Sequence, residues 1–535
     1  MTQPDYVVVG AGSAGCVVAC RLVQAGATVA LLEAGPRDRD VRIHVPAALR
    51  PLLHDDAVNW NFSSEPVDGA GGRRIALPRG RVLGGSSSIN GMLYVRGNPA
   101  DYDGWAQRGC RGWSYDEVLP YFRASEAYEQ GGDPAVRGAE GPMAVADYRT
   151  VLPITHRFVE AAQQAGHPFT NDYNGGQQEG VGYSQMTRRG RRRASTAQSF
   201  LRQVRNDPKL QLITGARAGR LLFDGVHCTG VTYRQGGQDK TLRANREVVL
   251  CGGSYNSPHL LQISGIGPAA HLRDIGVAVV CDSPGVGSNL ADHYGARIKH
   301  HVHGELTMNQ LSRFPRVIAE VAKYAFLGNG ALTFGVTSAM VFAQSREGLA
   351  SPDLQLSFTP ATPRNEAQGA LEKEPGATIT ALPVRAQSRG TVMARSAEPE
   401  EYPLIRPSYL DDEDDVNVLY AGVQLSRRIF AAPALSDVSL GEFAPGPDVR
   451  TREDVRQYTR ENGGTIHHPV GTCKMGDDPN AVVDSRLRVH GIAGLRVIDA
   501  SIMPTLTTGN TNAPTIMIGE KGAAMILEDA RTSGR

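Results

Sequence analysis

DYVVVGAGSAGCVVACRLVQAGATVALLEAG, residues 5–35, is the stretch that decides the fold. Its apolar residues 6–9 are typical of a β-strand, and Thr28–Leu32 is a second such run after a helical pattern. Glycines spaced G-x-G-x-x-G join the first strand to the helix, and Glu33 ends the second strand. This is the order that a dinucleotide-binding βαβ unit requires. It favours a dinucleotide site over a glycine-rich turn in another α/β protein, and it leaves NAD and FAD both open.

Each small residue of this turn has a separate expected task. Gly10 permits the tight turn, Gly12 lets the backbone approach a pyrophosphate, and Gly15 lets the helix pack against the strand. The pyrophosphate would lie at the helix N-terminus, where free N–H groups favour an anion. The Glu33 carboxylate would accept hydrogen bonds from ribose hydroxyls.

The composition is that of a globular protein with more than one core. The chain has 535 residues, 41% of them hydrophobic and 21% charged, with a net charge of +1. Two or more domains are therefore expected, and nothing favours nucleic acid as a partner. The seven cysteines lack C-x-x-C pairs, so neither a disulfide scaffold nor a metal site is expected. With neither a signal peptide nor a transmembrane segment predicted, we expect a cytoplasmic protein, with peripheral membrane association left open.

Two further regions have a distinct character. Arg188–Arg193 (RRGRRR) is the one dense basic run, and the balanced charge elsewhere favours a solvated loop over an anion-binding site. Between residues 300 and 455, strands such as Leu354–Phe358 and Thr378–Pro383 alternate with proline-rich turns, and Asp414–Phe430 has a helical pattern. We expect this region to form a mainly antiparallel layer that covers the cofactor and shapes a substrate pocket.

The residues that could carry chemistry lie near the end of the chain. Neither a G-x-S-x-G nucleophile motif nor an H-E-x-x-H metal motif occurs, so hydrolase chemistry has no local support. His467 and His468 lie in the loop NGGTIHHPVGT, and a histidine of near-neutral pKa can take a proton from a hydroxyl. Asn510 and Asn512 lie in the cluster TGNTN, where Asn512 suits the cap of the following helix better than Asn510 does.

Four blocks together resemble the glucose–methanol–choline (GMC) oxidoreductases over nearly the whole chain, and in particular the choline dehydrogenase-like and alcohol oxidase-like FAD enzymes. The first block is the N-terminal glycine motif, and the second is Gly80–Asp103 with its run GGSS. The third is Gly253–Gly267, and the fourth combines HPVGT at 468–472, DAS at 499–501 and TGNTN at 508–512. The run VGSNLADH at 286–293 adds support.

The resemblance implies that the dinucleotide is FAD. His468 matches the active-site histidine of the family and Asn510 its partner, while His467, Phe334 and Phe358 are expected in the substrate pocket. The position at which some members attach FAD through histidine is Ile89, so non-covalent FAD is expected. The expected cofactor-binding residues are Gly10, Gly12, Ser13, Ala14, Gly15, Glu33, Ala34, Arg81, Gly84, Gly85, Ser86, Asn90, Gly91, Met92, Leu93, Ala218, Asp499, Ala500, Asn510 and Thr511.

The implied fold is α/β (α+β overall). A Rossmann-like FAD-binding domain is expected to combine with a substrate-binding domain built on an antiparallel sheet with helices. The predicted FAD-binding parts are residues 1–150, 188–298 and 459–535, and the last of these carries the catalytic residues. The predicted substrate-binding parts are residues 151–187 and 299–458.

The implied reaction is oxidation of an alcohol to an aldehyde by hydride transfer to flavin N5, with His468 as base. An apolar segment, Tyr324–Ala339, without an acid disfavours choline, so we expect a neutral primary alcohol of aliphatic, aryl or glycol type. The flavin would be reoxidised by O₂ or a quinone-type acceptor. The alternatives are a lyase or photodecarboxylase on the same fold and a non-catalytic flavoprotein. The sequence decides neither the acceptor nor the oligomeric state.

Overall fold

A parallel sheet of five strands forms the first layer of the protein, whose residues 3–365 and 370–533 are described by a computed structural model. The strand order is Leu210–Thr214, Val29–Glu33, Tyr6–Val9, Glu247–Leu250, Leu495–Val497, and every neighbouring pair is parallel. The strands are almost wholly apolar, as expected for a sheet buried on both faces. The predicted Rossmann-like layer is confirmed, and it draws strands from both ends of the chain.

The glycine turn has the geometry that its sequence predicts. Gly10 has a φ of +102°, which a residue with a side chain rarely adopts. A Cβ on Gly15 would lie 1.9 Å from the Gly10 carbonyl oxygen, so only glycine lets the helix Ser13–Gln24 approach the turn so closely. Gly26 follows that helix with a φ of +96° and is the predicted residue just past its end.

The last helix of the chain packs on the first one. It spans Asn512–Ser533. Arg21 and Glu520 form an ion pair of 2.7 Å between the two helices, and Ser13 donates a hydrogen bond to Asn512. The C-terminal segment is thereby held beside the glycine turn.

The second layer is an antiparallel sheet of seven strands, as the sequence predicts. Six strands follow the order Ser439–Ala444, Tyr294–Val302, Gly376–Pro383, Leu354–Thr359, Ala339–Ala343, Gly180–Tyr183, and Gly464–Thr465 pairs with the start of Tyr294–Val302. One face is apolar and packs on the helices Glu413–Ala431 and Pro153–Gln164. Because side chains alternate along a strand, the opposite face is free to line a cavity.

Smaller sheets flank these layers. One is a three-stranded meander of Ala216–Asp224, His227–Gln235 and Gln238–Arg243. Another is a mixed sheet that joins Glu126–Tyr128, Met143–Asp147, Gln185–Arg189 and Arg192–Arg193. Short two-stranded ribbons pair Phe62–Ser63 with Ala76–Leu77, Ile266–Gly267 with Cys281–Asp282, Pro363–Asn365 with Ala370–Leu371, and Thr391–Met393 with Leu404–Arg406.

The remaining helices are short, with at most eleven residues each. The α-helices are Val41–His44, Leu49–Leu52, Pro99–Gln107, Tyr115–Ser125, Arg202–Val204, Gly253–Ile263, Ala269–Asp274, Met308–Leu311, Arg316–Ala322, Pro433–Ser436 and Arg452–Asn462. The 3₁₀ turns are Pro46–Ala48, Asp68–Ala70, Gly85–Ser88, Ala331–Thr333 and Ala500–Ile502, and the π turns are Ala197–Leu201 and Lys323–Leu327.

The expectation of a solvated loop at Arg188–Arg193 holds for the four central residues of this run but not for its two ends. The run closes a hairpin, in which Arg188 and Arg193 are only 4% and 2% exposed while the residues between them are exposed. The Arg193 guanidinium donates to the carbonyl oxygen of Ile43 and to the Asn90 carbonyl and side-chain oxygens. Partners far away in the sequence bury these two cations, which local composition does not reveal.

No helix in the described part of the chain is long and apolar enough to cross a membrane. Nor do residues 3–365 and 370–533 contain a group of three or more side chains arranged to hold a metal ion.

Candidate active site

A cavity of about 1000 Å³ runs between the two layers. At one end it is lined by the glycine turn and Glu33, and at the other by His468, Asn510 and the polar face of the antiparallel sheet. The cavity joins the N-terminal motif to the two C-terminal clusters that the sequence singled out.

Most of the expected cofactor-binding residues line this cavity. They are Gly10, Gly12, Ser13, Ala14, Glu33, Ala34, Gly85, Ser86, Asn90, Gly91, Met92, Leu93, Ala218, Asp499, Ala500, Asn510 and Thr511. Gly15, Gly84 and Arg81 do not line it. Gly15 and Gly84 shape the backbone, the latter with a φ of +88°, while Arg81 lies over the Trp60 ring and bonds to the Asp56 carbonyl oxygen.

Glu33 is held rigidly at the nucleotide end. Its two carboxylate oxygens accept hydrogen bonds from the backbone N–H groups of Ala11 (3.0 Å) and Gly35 (2.8 Å). Burial raises the pKa of this carboxyl to about 7. Each oxygen has a further lone pair, so the side chain can still accept a hydrogen bond from a ribose hydroxyl.

The GGSS loop lies directly on the glycine turn. A Cβ on Gly85 would lie 2.6 Å from the Cα of Gly12, so only glycine at 85 allows the two backbones to meet. Beyond the loop, the Asn90 side chain accepts a hydrogen bond from Arg193 at 2.7 Å. Arg193 is thus a buried positioning residue of the site that sequence reasoning missed.

A chain of hydrogen bonds fixes the protonation pattern of His468. The ring Nε2 of His293 lies 3.1 Å from the Val384 carbonyl oxygen, which can only accept, so His293 carries its proton there. The unprotonated Nδ1 of His293 then accepts from Nδ1–H of His468 at 3.0 Å. His468 Nε2 is therefore unprotonated, and it accepts from the Asn510 amide at 3.0 Å.

Burial keeps both rings neutral. It lowers the pKa of His293 to about 4 and that of His468 well below its usual range, where the Arg79 charge adds to the effect. His468 is the group that borders the cavity, and His293 lies behind it. The pair has one basic lone pair towards the cavity, on His468 Nε2, and the Asn510 amide donates to it in this structure.

A buried carboxylate secures the histidine loop. Asp292 accepts hydrogen bonds from the backbone N–H groups of His293 (2.8 Å) and His468 (2.7 Å) through one oxygen. Its other oxygen accepts from the hydroxyls of Thr465 (2.6 Å) and Tyr409 (2.9 Å). Sequence reasoning recorded Asp292 and His293 only as part of a supporting motif, because their pairing with residue 468 spans about 175 positions.

His467 also borders the cavity, in a left-handed conformation with a φ of +68°. Its carbonyl oxygen accepts a hydrogen bond from Arg79 at 2.7 Å. Burial, with help from Arg79 and Arg297, lowers its pKa to about 3. Its buried Nδ1 has no hydrogen-bond partner among the described residues.

The expected aromatic pair is split between two locations. Phe334 lines the cavity and packs edge-on against Tyr148. Phe358 is fully buried on the other face of its strand, stacked on Phe158 at 4.3 Å, and does not reach the cavity. The cavity-facing residues of that strand are its alternate members, Gln355, Ser357 and Thr359.

Two observations test whether FAD fits this cavity. At the nucleotide end the backbone is bare, because glycines occupy the positions where side chains would obstruct a pyrophosphate. At the histidine end, the buried Oδ1 of Asn510 lacks a hydrogen-bond partner among the described residues, as does Nδ1 of His467. The residues present therefore fit an elongated dinucleotide that brings a reactive ring near His468.

A cavity with a dinucleotide-binding turn at one end and a neutral histidine at the other is typical of cofactor-dependent oxidoreductases. Two family models described as GMC oxidoreductase match residues 4–295 and 386–519. The chain belongs to the GMC oxidoreductase family, and the resemblance seen in the sequence is confirmed.

Known proteins similar to the chain over its whole length differ in substrate. The oxygen-dependent choline dehydrogenase of Brucella suis is 42% identical over 530 residues, which cover 98% of this chain and 96% of that protein. The structure of pyridoxine 4-oxidase from Mesorbium loti has a TM-score of 0.90 at 29% identity, covering 98% of this chain and 99% of that one. An FAD-dependent oxidoreductase from Chaetomium thermophilum has a TM-score of 0.91 at 26% identity, covering 99% and 100%.

Proposed function

We propose that the protein is an FAD-dependent enzyme that oxidises a neutral primary alcohol to the aldehyde. One observation carries the proposal: the hydrogen-bond chain from Val384 through His293 leaves an unprotonated His468 Nε2 beside Asn510 in the cavity. An alcohol oxidised by hydride loss must also give up its hydroxyl proton, and this nitrogen is the base that can take it.

Each residue at the histidine end of the cavity would have a separate role. The alcohol would replace the hydrogen bond between Asn510 and His468. Its O–H would donate to His468 Nε2, and the released Asn510 amide N–H would donate to the alcohol oxygen, which fixes the carbinol carbon. As hydride leaves the carbon, His468 takes the proton, a contribution of about 10²–10⁴-fold in rate. FAD, when bound along the glycine turn, supplies the hydride acceptor. His293 and Asp292 act indirectly, by holding the His468 ring and backbone.

The binding mode that fits these residues is non-covalent. Ile89, at the position where some relatives attach the flavin, lines the cavity with a hydrocarbon side chain that cannot form such a bond. Denaturing the purified protein should therefore release all of its FAD into the supernatant. Flavin that stays with the precipitated chain would contradict this point.

The charges of the cavity support a substrate without a cationic group. Among the described residues that line it, the carboxylates are Glu33 and Asp499. Glu33 lies at the nucleotide end, and Asp499 accepts from the Ser257 hydroxyl and backbone N–H groups. Choline carries a permanent positive charge, and neither of these two carboxylates is placed to pair with its ammonium beside His468.

The face of the seven-stranded antiparallel sheet that lines the cavity carries polar side chains. Thr380 pairs with Ser357 on one side and Arg297 on the other, and Thr378 and Gln355 follow on the same face of the cavity. Hydroxyl and amide groups in a row can bond to ether or hydroxyl oxygens. This arrangement favours the glycol-type member of the predicted substrate class.

The test is anaerobic mixing of the flavoprotein with a panel of alcohols. The panel contains aliphatic, aryl and glycol-type alcohols, and choline is included because of the Brucella relative. Bleaching of the flavin by a neutral alcohol supports the proposal, and faster bleaching by choline refutes the substrate class. The absence of bleaching with every alcohol would indicate the lyase, photodecarboxylase or non-catalytic alternatives. Admitting air or a quinone afterwards identifies the acceptor.

A further inference from the structure

A patch of exposed apolar side chains lies at the mouth of the cavity. It consists of Phe314, Ile318, Val321, Phe326 and Leu327, with exposed fractions of 80%, 59%, 48%, 86% and 68%. Such a concentration of exposed large apolar residues within 14 positions is unusual for a surface in contact with water alone.

The segment that carries the patch is anchored in the protein. Glu320 is only 4% exposed, and it accepts hydrogen bonds from the Ala331 backbone N–H and from Lys323. With Glu320 facing inward, Ile318 and Val321 are left on the outer side of the helix Arg316–Ala322. The apolar side chains are thus held outward by a buried contact.

The patch is next to the cavity entrance. Met308, Ser312 and Arg313 line the cavity immediately before the patch in sequence, and Phe334 and Val336 line it immediately after. The patch therefore lies on a segment of the chain that connects two stretches of the cavity wall. A surface that covered it would face the entrance.

We call five arginines the basic rim, namely Arg189, Arg191, Arg192, Arg313 and Arg316, of which the last two lie within two positions of patch residues in the sequence. The first three belong to the hairpin that closes the RRGRRR run, and Arg191 donates to the carbonyl oxygens of Tyr324 and Ala325. This contact joins the hairpin tip to the patch. The whole chain has a net charge of only +1, so these cations are a local concentration.

We propose that this surface docks the protein on an anionic phospholipid bilayer, with the patch inserted among the lipid chains and the basic rim on the head groups. Exposed apolar side chains flanked by cations are what an interfacial segment needs. A second copy of the chain is a poorer occupant, because a two-fold contact would place one set of rim arginines against the other. Docked in this way, the cavity entrance faces the bilayer.

The experiment is sedimentation of the flavin-loaded protein with vesicles of phosphatidylcholine alone or with one quarter phosphatidylglycerol. The protein is expected to sediment with the anionic vesicles and to be released by 0.5 M salt, which screens the rim. A triple change of Phe314→Ser, Phe326→Ser and Leu327→Ser should lower the partition coefficient at least about tenfold. Changing Arg189, Arg192 and Arg316 to Gln should lower it by about fivefold per residue.

The matched control is the double variant Val226→Ser and Leu440→Ser, which removes apolar side chains 56% and 66% exposed elsewhere on the surface and should bind like the wild type. All variants should retain bound flavin and its reduction by a soluble alcohol. Failure of the wild type to sediment, or equal sedimentation of wild type and patch variants, overturns the proposal. So does a dimer in analytical ultracentrifugation that the patch variant abolishes, since a second copy then covers the surface. None of these outcomes bears on alcohol oxidation, which flavin reduction measures separately.

Discussion

Replacing His293 by Leu tests whether the hydrogen bond from His468 to His293 keeps Nε2 of His468 unprotonated. The change removes the Nδ1 acceptor that lies 3.0 Å from His468 Nδ1 and the donor that lies 3.1 Å from the Val384 carbonyl oxygen. His468 then either leaves Nδ1–H buried without a partner or moves its proton to Nε2, where it can no longer take one from the alcohol. An unsatisfied buried donor costs about 1–3 kcal/mol, which corresponds to about a 5- to 150-fold fall in kcat.

The assay is anaerobic flavin reduction over a range of alcohol concentrations, after flavin content and thermal stability have been matched. Because His293 does not line the cavity, kcat should fall while KM changes little. His293→Asn is the matched variant: its side-chain oxygen can accept from His468, although neither substitution reaches Val384. If the His293→Asn variant recovers most of the rate that the His293→Leu variant loses, the loss is due to the missing hydrogen bond to His468. A Leu variant that reduces flavin within twofold of the wild type would refute the reasoning.

Other perturbations test the remaining contacts. Gly15→Ala should abolish flavin binding, measured by visible absorbance, because the new Cβ would lie 1.9 Å from a turn carbonyl oxygen and the helix must shift. Asp292→Asn should lower the free energy of unfolding by about 2–4 kcal/mol in urea titration, and it should also reduce kcat. The reason is that an amide NH₂ cannot accept the hydrogen bonds that one carboxylate oxygen receives. Asn510→Ala should reduce the rate of flavin reduction by about 10–100-fold without loss of flavin, and an unchanged rate would remove Asn510 from the alcohol site. Because burial lowers the pKa of His293 to about 4, turnover should be level near neutral pH and fall as the pH drops through 4. The same histidine should lower the free energy of unfolding as the pH falls from about 6.5 towards 4, because only the unfolded state binds the proton in that range. A turnover profile that falls already near pH 6.5 would contradict the assignment.

The nucleotide half of the site is predictable because its causes are local. Gly10 and Gly15 are required by a turn and a helix that lie within ten residues of each other, and continuous runs of apolar residues mark the strands around them. The same holds for the helix Tyr115–Ser125, whose cap residue Ser114 and acidic first turn lie next to each other in the sequence.

The rest of the site depends on contacts between distant parts of the chain. Phe358 and Ser357 are neighbours in sequence, and only the register of the sheet decides which of them faces the cavity. Arg193 looks solvated until its partner Asn90, 103 positions away, is known. His293 gains its role through a ring 175 positions away. Residue types and motifs identify the reacting pair, whereas the tautomer that makes His468 a base follows from tertiary geometry.

The most direct test of the central claim is the anaerobic rate of flavin reduction by the best alcohol of the panel in His468→Ala compared with the wild type. The account predicts that the variant retains its FAD and folds normally but reduces it about 10²–10⁴-fold more slowly. A His468→Ala protein that reduces its flavin at the wild-type rate would contradict the claim that this histidine is the base for alcohol oxidation.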